Sequence, residues 1–411
     1  MRIGSESLVP GPSAMLSLML ALLLLFTAAR AWADEFDTLN FDAGMTLITD
    51  SNLFRLSATA DPNTVLGRSS TADSINVTSL GVRLAKPYSL QRFELSASLV
   101  DYRYDKARFL NFSAFNYSAA WRWNLTPRFK GSISSDRSET LNSFVDFRAF
   151  VRNVRIQENH RFNAEYEVDG VWRVIGGLAQ SKSQNERLFV QQQDFKSNVA
   201  EGGIKYAFTN GSTVSAVIRA QDGEFFKLTQ PQAASFFDNK FKQSEQEARL
   251  FWLFSGKSSL DARLAYIDRR HPNFSQRDFS GVVGNANWNW GITGKTRLVT
   301  SVSRELGSFV QPSSSYTRVD RLSVGPAWEV SPKALVRARV DVSTRDFLGP
   351  VTNTALNGRS DTLRTLYLGM DWRPFRWATM SASLQHDKRS SNQAGLDFAS
   401  TQVTLAARLT F

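Results

Sequence analysis

The segment 403–411 alternates strictly between two kinds of residue. It reads Val-Thr-Leu-Ala-Ala-Arg-Leu-Thr-Phe, so Val403, Leu405, Leu409 and Phe411 fall on one face, while the other face is mostly polar. Successive side chains of a β-strand point to opposite sides, which separates this pattern into an apolar and a polar face. An apolar face that ends on an aromatic ring is typical of the closing strand of a transmembrane barrel. We therefore expect an all-β, antiparallel transmembrane β-barrel.

Residues 1–33 have the pattern of a secretory signal peptide. Arg2 gives a positive start, residues 14–29 are apolar, and residues 31–33 read Ala-Trp-Ala, with small residues where cleavage requires them. We expect a signal peptide over 1–33 and a barrel over 34–411, located in the bacterial outer membrane. An uncleaved anchor is the alternative, although the stretch is slightly short for the roughly 20 residues of a membrane-spanning helix.

The composition excludes several chemistries. There are 0 cysteines and only 3 histidines, so thiolate metal sites and cysteine nucleophiles are excluded, and we expect no metal, no cofactor and no enzymatic activity. The formal net charge of +11 favours anionic partners. An exported protein rarely meets nucleic acid, so we expect no nucleic-acid partner.

Short turn signals recur along the chain at intervals of about 37 to 46 residues. Each contains Pro, Gly, Asn-Gly or Asp-Gly, which close tight hairpins. They lie at residues 86–89, 125–128, 168–171, 209–212, 255–258, 292–295, 330–333 and 373–376. Each interval holds two alternating segments and one longer connection, which predicts short periplasmic turns and longer extracellular loops.

Counting a strand on each side of every turn, and one more at each end, predicts 18 strands. The first is expected around 39–47 and the last around 402–411. The even count agrees with the rule for outer-membrane barrels. A soluble β-propeller, whose blades also repeat at about 40 residues, is the alternative, but the intervals share no blade motif.

Tryptophan residues cluster within about five residues of the proposed short turns. Indole rings prefer the headgroup layer of a membrane, so this clustering predicts an aromatic girdle at the periplasmic interface. The predicted girdle consists of Trp121, Trp123, Trp172, Trp252, Trp288, Trp290, Trp328, Trp372, Trp377 and Phe411.

If the apolar face meets lipid, the other face of each strand lines the lumen. This assignment gives a basic set on the inner wall, which includes Arg83, Arg122, Arg173, Arg219, Arg263, Arg321, Arg337, Arg339, Arg345 and Arg408. Inward acids are almost as numerous, so one interpretation is a solvated, porin-like wall of paired charges. The other is a path for an anionic polymer, because guanidinium groups match carboxylates and weak repeated sites permit passage.

Several segments resemble the EpsL family of outer-membrane barrels that are encoded with exosortase-B-type exopolysaccharide clusters. The matching segments are 50–55, 99–104, 116–128, 274–281, 284–290, 381–385 and 389–392, of which Asp50-Ser-Asn-Leu-Phe-Arg55 is an example. The resemblance implies a barrel that serves exopolysaccharide biosynthesis or export, and it implies no catalytic residues.

Three functional hypotheses follow. The first is a passive conduit for an acidic polysaccharide, with outer-membrane lipid, the polysaccharide and periplasmic export proteins as partners. The second is a general solute porin, which shares every signal except the resemblance. The third is an outer-membrane hydrolase that assembles serine, histidine and aspartate from separate strands, for example around His386 and Asp387.

Overall fold

The computed structural model of the protein describes residues 38–145, 150–187, 194–228, 231, 237–311, 314–350 and 358–411. The predicted signal peptide, residues 1–33, lies outside them. The strands are β1 Leu39–Asp50, β2 Asp73–Tyr88, β3 Gln91–Tyr104, β4 Phe112–Thr126, β5 Phe129–Leu141, β6 Val154–Glu167, β7 Trp172–Asn185, β8 Phe195–Ala207, β9 Thr213–Glu224, β10 Lys240–Ser255, β11 Ser258–Arg270, β12 Phe279–Gly291, β13 Thr296–Gln311, β14 Ser314–Ser331, β15 Ala334–Leu348, β16 Ser360–Phe375, β17 Ala378–Ser391 and β18 Phe398–Thr410.

These strands form one closed antiparallel barrel. Each strand pairs with its neighbours in chain order, and β1 pairs with both β2 and β18, which closes the ring. The prediction of an all-β barrel with 18 strands is therefore confirmed. One short helix, α1 at Pro62–Leu66, lies between β1 and β2.

The strand boundaries differ from the expectation at a few places. β1 continues to Asp50 because that residue still pairs with Gln402 of β18 and Asp73 of β2, and β18 begins at Phe398 because that residue pairs with Arg389 of β17. Pro87 lies inside β2 and Pro374 inside β16, so two of the predicted turns fall about two residues later than the proline suggested.

The outward face of the barrel is apolar. Leu178, Ile218 and Leu405 expose 61%, 68% and 52% of their surface, and they alternate with residues that face inward. A continuous belt of such side chains is stable only against lipid, whereas the pairing around the closed ring satisfies every strand's backbone groups. Among the described residues, no helix is long and apolar enough to cross a membrane.

A carboxylate on β1 strengthens the closing seam. Asp42 accepts hydrogen bonds from Arg83 of β2 at 2.6 Å, from Arg408 of β18 at 2.9 Å and from Thr410 at 2.8 Å. It therefore links the first strand to both of its neighbours on the inner side of the wall.

The tryptophans of the predicted girdle lie on the outward face near the short turns. Trp121 donates from its ring nitrogen to Gln91 at 2.8 Å, and Trp288 donates to Ser258 at 2.9 Å. Trp123 differs, because it is only 5% exposed and lies against Phe162. A girdle role for these residues remains a prediction.

Trp123 lies flat on the wall because the facing position is Gly131. A Cβ atom at Gly131 would overlap the Trp123 ring and the carbonyl oxygen of Asn163. We expect Gly131→Ala to lower the free energy of unfolding by about 1–3 kcal/mol, since the ring must leave its site. Urea unfolding in lipid vesicles, followed by tryptophan fluorescence, measures this change.

The matched control is Gly202→Ala, also on the outward face, where an added Cβ meets nothing within 4 Å. Equal destabilisation by both substitutions would show that overlap with Trp123 is not the cause.

Candidate functional site

The inner wall carries the charged side chains, and it includes the whole predicted basic set. The strand registers place Arg83, Arg122, Arg173, Arg219, Arg263, Arg321, Arg337, Arg339, Arg345 and Arg408 on the side opposite the apolar belt. Whether each of these guanidinium groups is available to a solute depends on the carboxylates beside it.

A compact ionic network occupies the wall between β8 and β11. It joins Arg219, Arg249 and Arg263 to Glu201, Glu245 and Glu247. Arg219 donates to Glu201 at 2.7 Å and to Glu245 at 2.9 Å. Both acids of β10 are nearly buried, so these arginines hold fixed carboxylates and are not available to a passing solute.

Most of the other predicted arginines also have carboxylate partners. Arg83 and Arg408 contact Asp42, Arg122 contacts Glu94, Arg173 contacts Glu165, Arg337 contacts Asp371, and Arg339 contacts Asp341. Arg345 lies opposite Asp361 in the register of β15 and β16. Arg337 and Arg339 of the predicted basic set are thus both engaged with neighbouring acids.

Three inner-wall arginines differ from these. Arg161, Arg297 and Arg321 are exposed, and no carboxylate of the described residues lies within ion-pair distance of any of them. Their cross-strand neighbours are small and uncharged; Arg321, for example, lies between Ser303 and Ser343. These guanidinium groups can therefore bind an anion from solution.

The first outer loop, residues 51–72, folds inward. Asp50 is 2% exposed and accepts hydrogen bonds from Arg55 at 2.8 Å and from Ser400 of β18 at 2.6 Å. Arg55 has a positive φ of 57°, which reverses the chain at this point. Asn52 donates to the carbonyl oxygens of Leu56 at 2.8 Å and of Ala399 at 3.0 Å. The motif at 50–55 thus ties the loop to the closing seam.

The inward turn buries an apolar cluster at the outer opening, which we call the mouth cluster. Phe54 is the centre of the cluster and is only 1% exposed. The centre of its ring lies 4.8 Å from that of Phe144 and 5.7 Å from that of Phe150. The cluster contains Leu53, Phe54, Leu56, Ile75, Tyr104, Ala107, Leu110 and Phe144. Ile75 and Tyr104 belong to the inner face of β2 and β3, so three outer loops pack over the lumen side of the wall.

The third outer loop reaches across the opening. The carbonyl oxygen of Val145, which follows β5, accepts a hydrogen bond of 2.7 Å from Arg389 of β17. Arg389 is 3% exposed, and its guanidinium group lies 4.9 Å from the Phe398 ring centre. Strands β5 and β17 are far apart around the ring, so this contact crosses part of the outer mouth.

A second apolar cluster lines another part of the opening. Phe225, Leu228, Phe237 and Phe241 pack together, with Phe195 of β8 against them. Phe195 and Phe241 occupy inner-face positions of their strands. The described ends of the connection after β9 therefore fold inward, whereas residues 229–230 and 232–236 lie outside the described residues.

The hydrolytic pair suggested by the sequence, His386 and Asp387, is not assembled. His386 faces outward and contacts Thr401 at 2.9 Å, whereas Asp387 faces inward and accepts from Thr365 at 2.6 Å. His160 also faces outward, beside Ser135 at 2.9 Å. Adjacent strand residues point to opposite faces, so the pair suggested by the sequence cannot act together.

Comparisons with known proteins agree with this architecture. Residues 253–411 match a family described as "Putative beta-barrel porin 2". The structure of OccK1 (OpdK) from Pseudomonas aeruginosa superposes with a TM-score of 0.50 at 11% identity, covering 91% of this chain and 99% of that chain. No curated protein sequence matches the chain.

Two further structures have the same fold. A BenF-like porin from Pseudomonas fluorescens Pf-5 gives a TM-score of 0.51 at 8% identity, covering 91% of this chain and 99% of that chain. OccK2 (OpdF) from Pseudomonas aeruginosa, in complex with glucuronate, gives a TM-score of 0.50 at 10% identity, covering 91% of this chain and 98% of that chain. At these identities the likeness concerns the fold. The chain is a porin-like β-barrel of the bacterial outer membrane.

Removal of the central ring should open the mouth cluster. Phe54→Ala deletes a fully buried aromatic side chain, which costs about 3–5 kcal/mol of local packing. We therefore expect larger single-channel conductance and more current noise in planar bilayers. Phe109→Ala is the control, since Phe109 stacks on Phe54 at 6.3 Å but is 55% exposed. Unchanged conductance of Phe54→Ala would contradict a constricting role.

The third loop should also loosen in acid. Burial favours the neutral form of Glu186, but hydrogen bonds from Arg152 and from the backbone of Val154 outweigh it, so the pKa of Glu186 lies below its ordinary value. The ion pair between Arg152 and Glu186 therefore stabilises the loop fully above the ordinary pKa of a glutamate. This stabilisation is lost as the pH falls through the lowered pKa of Glu186. Its contribution is about 0.5 kcal/mol, because the pair is partly exposed.

We expect current noise to rise as the pH falls below about 4, and Glu186→Gln to show that noise already at neutral pH. Asp105→Asn, which changes an outer-loop carboxylate without an ion pair among the described residues, serves as the control. Identical acid responses of the wild type and Glu186→Gln would exclude this contact as the cause.

Proposed function

We propose that the protein is a passive channel for small hydrophilic solutes, with a preference for anionic ones such as uronates. The proposal rests on one observation above all: the guanidinium groups of Arg161, Arg297 and Arg321 on the inner wall are exposed and have no carboxylate partner among the described residues. An aqueous lumen is compatible with a barrel of 18 strands, whose interior is wider than its own side chains fill.

The balance of charge supports weak, repeated binding. Most of the described inner-wall arginines are engaged with carboxylates, so the described part of the wall presents few free cations, and we expect it to bind a solute only weakly. Weak sites of this kind let an ion enter and leave, whereas a dense, uncompensated basic wall would retain it. The glucuronate in the OccK2 complex is a small carboxylated sugar, which makes it a suitable first solute to test.

The inward loops favour small solutes over a polymer. The mouth cluster and the contact between Val145 and Arg389 occupy part of the outer opening. A polysaccharide chain would have to keep these loops displaced for as long as it passes through the opening. A small solute needs only the space that remains beside them.

An exopolysaccharide conduit is the second candidate. The resemblance at residues 50–55 and the other matching segments favours it, and the motif forms an ordered, inward turn at the mouth. This function would also bring in a polysaccharide and periplasmic export proteins as partners. It requires that those partners move the outer loops.

The decisive experiment compares solutes in proteoliposomes and planar bilayers. We expect uptake of glucuronate to exceed that of glucose, and acidic oligosaccharides of increasing length to be excluded progressively. A heat-dependent shift in gel mobility verifies that the purified barrel is folded. The channel hypothesis fails if this folded barrel carries no solute. Length-independent passage of the oligosaccharides would favour the conduit.

The free arginines supply the anion preference. A unit charge at about 4 Å in water contributes about 1 kcal/mol, or about a fivefold change in local occupancy. We expect Arg321→Gln and Arg161→Gln to lower the permeability ratio of chloride to potassium, measured from reversal potentials in a salt gradient. Arg270→Gln, an outward arginine on β11, is the control. An unchanged ratio in both lumen variants would remove these residues from the permeation path.

A further inference from the structure

Two cations face each other on the outward surface without a carboxylate. Arg364 of β16 lies directly opposite Lys388 of β17. Both are exposed, and neither has an ion pair or hydrogen bond among the described residues. Like charges directly opposite each other on neighbouring strands destabilise a sheet. The arrangement therefore requires a compensating anion or carries an uncompensated cost.

Every other pair of cations that face each other across the described strands has an acid beside it. The pairs and their acids are Arg92 and Arg122 with Glu94, Arg173 and Lys205 with Glu165, Arg249 and Arg263 with Glu247, Lys242 and Arg270 with Asp268, and Lys182 and Lys196 with Glu158. The pair of Arg364 and Lys388 differs from all of these.

The described residues around Arg364 and Lys388 provide no carboxylate that forms an ion pair with either cation. The residues in register on the outer sides are Val342 of β15 and Ala399 of β18. Asp346 is the next outward carboxylate along β15, but Arg318 and Ser360 already bind it, each at 2.7 Å. Asp397, two residues before Ala399 on the same side, accepts a hydrogen bond from the backbone N–H of Ser391 at 2.6 Å and forms no ion pair with either cation. The pair is therefore open to an anion from outside the described chain.

The location of the pair points to a lipid. Leu366 lies one outward position closer to the periplasm than Arg364, and Leu384 lies two positions closer than Lys388, beyond His386. The two leucines are 57% and 47% exposed, so the cations sit at the upper edge of the lipid-facing belt. The edge nearer the long loops faces the outer leaflet. A phosphate group on a lipid there would meet a guanidinium fork and an ammonium group, both of which bind phosphate.

A lipid-facing concavity lies beside the pair. It has a volume of about 1160 Å³ and includes Val282, Val302, Leu322 and Val342. Gly284 lies in it and provides no side chain to fill it. Val342, at one edge of the concavity, is opposite Arg364, and Lys388 lies one strand further on, so the concavity begins beside the Arg364 side of the pair. An acyl chain fits its apolar lining.

We propose that Arg364 and Lys388 bind the phosphorylated headgroup of an outer-leaflet lipid, with an acyl chain of that lipid lying in the adjacent concavity. The site is on the outside of the barrel, and it is independent of solute passage through the lumen. It would fix the rotational position of one lipid against β15 to β17.

Native mass spectrometry of the detergent-solubilised full chain with diphosphoryl lipid A tests the proposal. We expect the wild type to retain this lipid and to retain its dephosphorylated form much less. Arg364→Gln combined with Lys388→Gln should lower the bound fraction roughly tenfold, the loss of a charge-assisted contact. Arg364→Lys, which keeps the charge, should preserve most of the binding.

The matched control is Lys182→Gln combined with Lys196→Gln, which removes an outward cation pair that has its own acid. It should leave lipid retention unchanged. The single variant Lys388→Gln, checked for folding by the heat-dependent gel shift, tests the same contact if the double variant does not fold.

The proposal is overturned if folded variants that lack either or both cations retain the lipid at the wild-type level. It is also overturned by equal retention of the phosphorylated and dephosphorylated forms, or by release of the lipid by excess inorganic phosphate. The last would assign the pair to a soluble anion. Failure of the wild type to retain any lipid would also exclude the site, whatever solutes the lumen conducts.

Discussion

Closure of the hydrogen-bonded ring is the constraint on which the structure depends. Hydrocarbon offers no partner to a free N–H or C=O group, so an open sheet edge cannot lie in a membrane. The antiparallel pairing of β1 with β18 removes that edge. Asp42 reinforces the join, since it holds Arg83 on one side and Arg408 on the other. The alternation of every strand then follows, because one face must meet lipid and the other the enclosed space.

The enclosed face shows how a charged interior can remain stable. Arginines in the middle of the wall are grouped with glutamates, as in the network around Arg219 and Glu247. Such networks leave few unbalanced charges among the described residues. Arg321 has serines as its cross-strand neighbours, whereas Arg339 is occupied by Asp341. The proposed anion preference thus depends on missing partners more than on the number of arginines.

The sequence predicts the strands and their faces well, because both follow from local rules. Turn residues mark the hairpins, and period-two alternation separates lipid from lumen. It does not predict which charges meet, since Arg337 and Asp371 are brought together only by register. It also misses the mouth cluster. Phe54 and Phe144 look like any loop aromatics, and they meet only because two separate outer loops, with positive φ at Arg55 and at Phe150, fold inward. The motif at 50–55 was the available signal, but its physical meaning needed the fold.

The bond between Val145 and Arg389 has a mechanical consequence. A barrel whose strands are joined only to their neighbours behaves mechanically as a hoop, and uneven pressure from the bilayer flattens its cross-section easily. A link between two distant strands acts as a chord across that cross-section and resists the flattening. Because Arg389 is buried and also donates to the carbonyl oxygen of Leu396 at 2.7 Å, the chord is anchored firmly at one end. The cross-section near the outer opening should therefore stay rounder than that of the periplasmic rim.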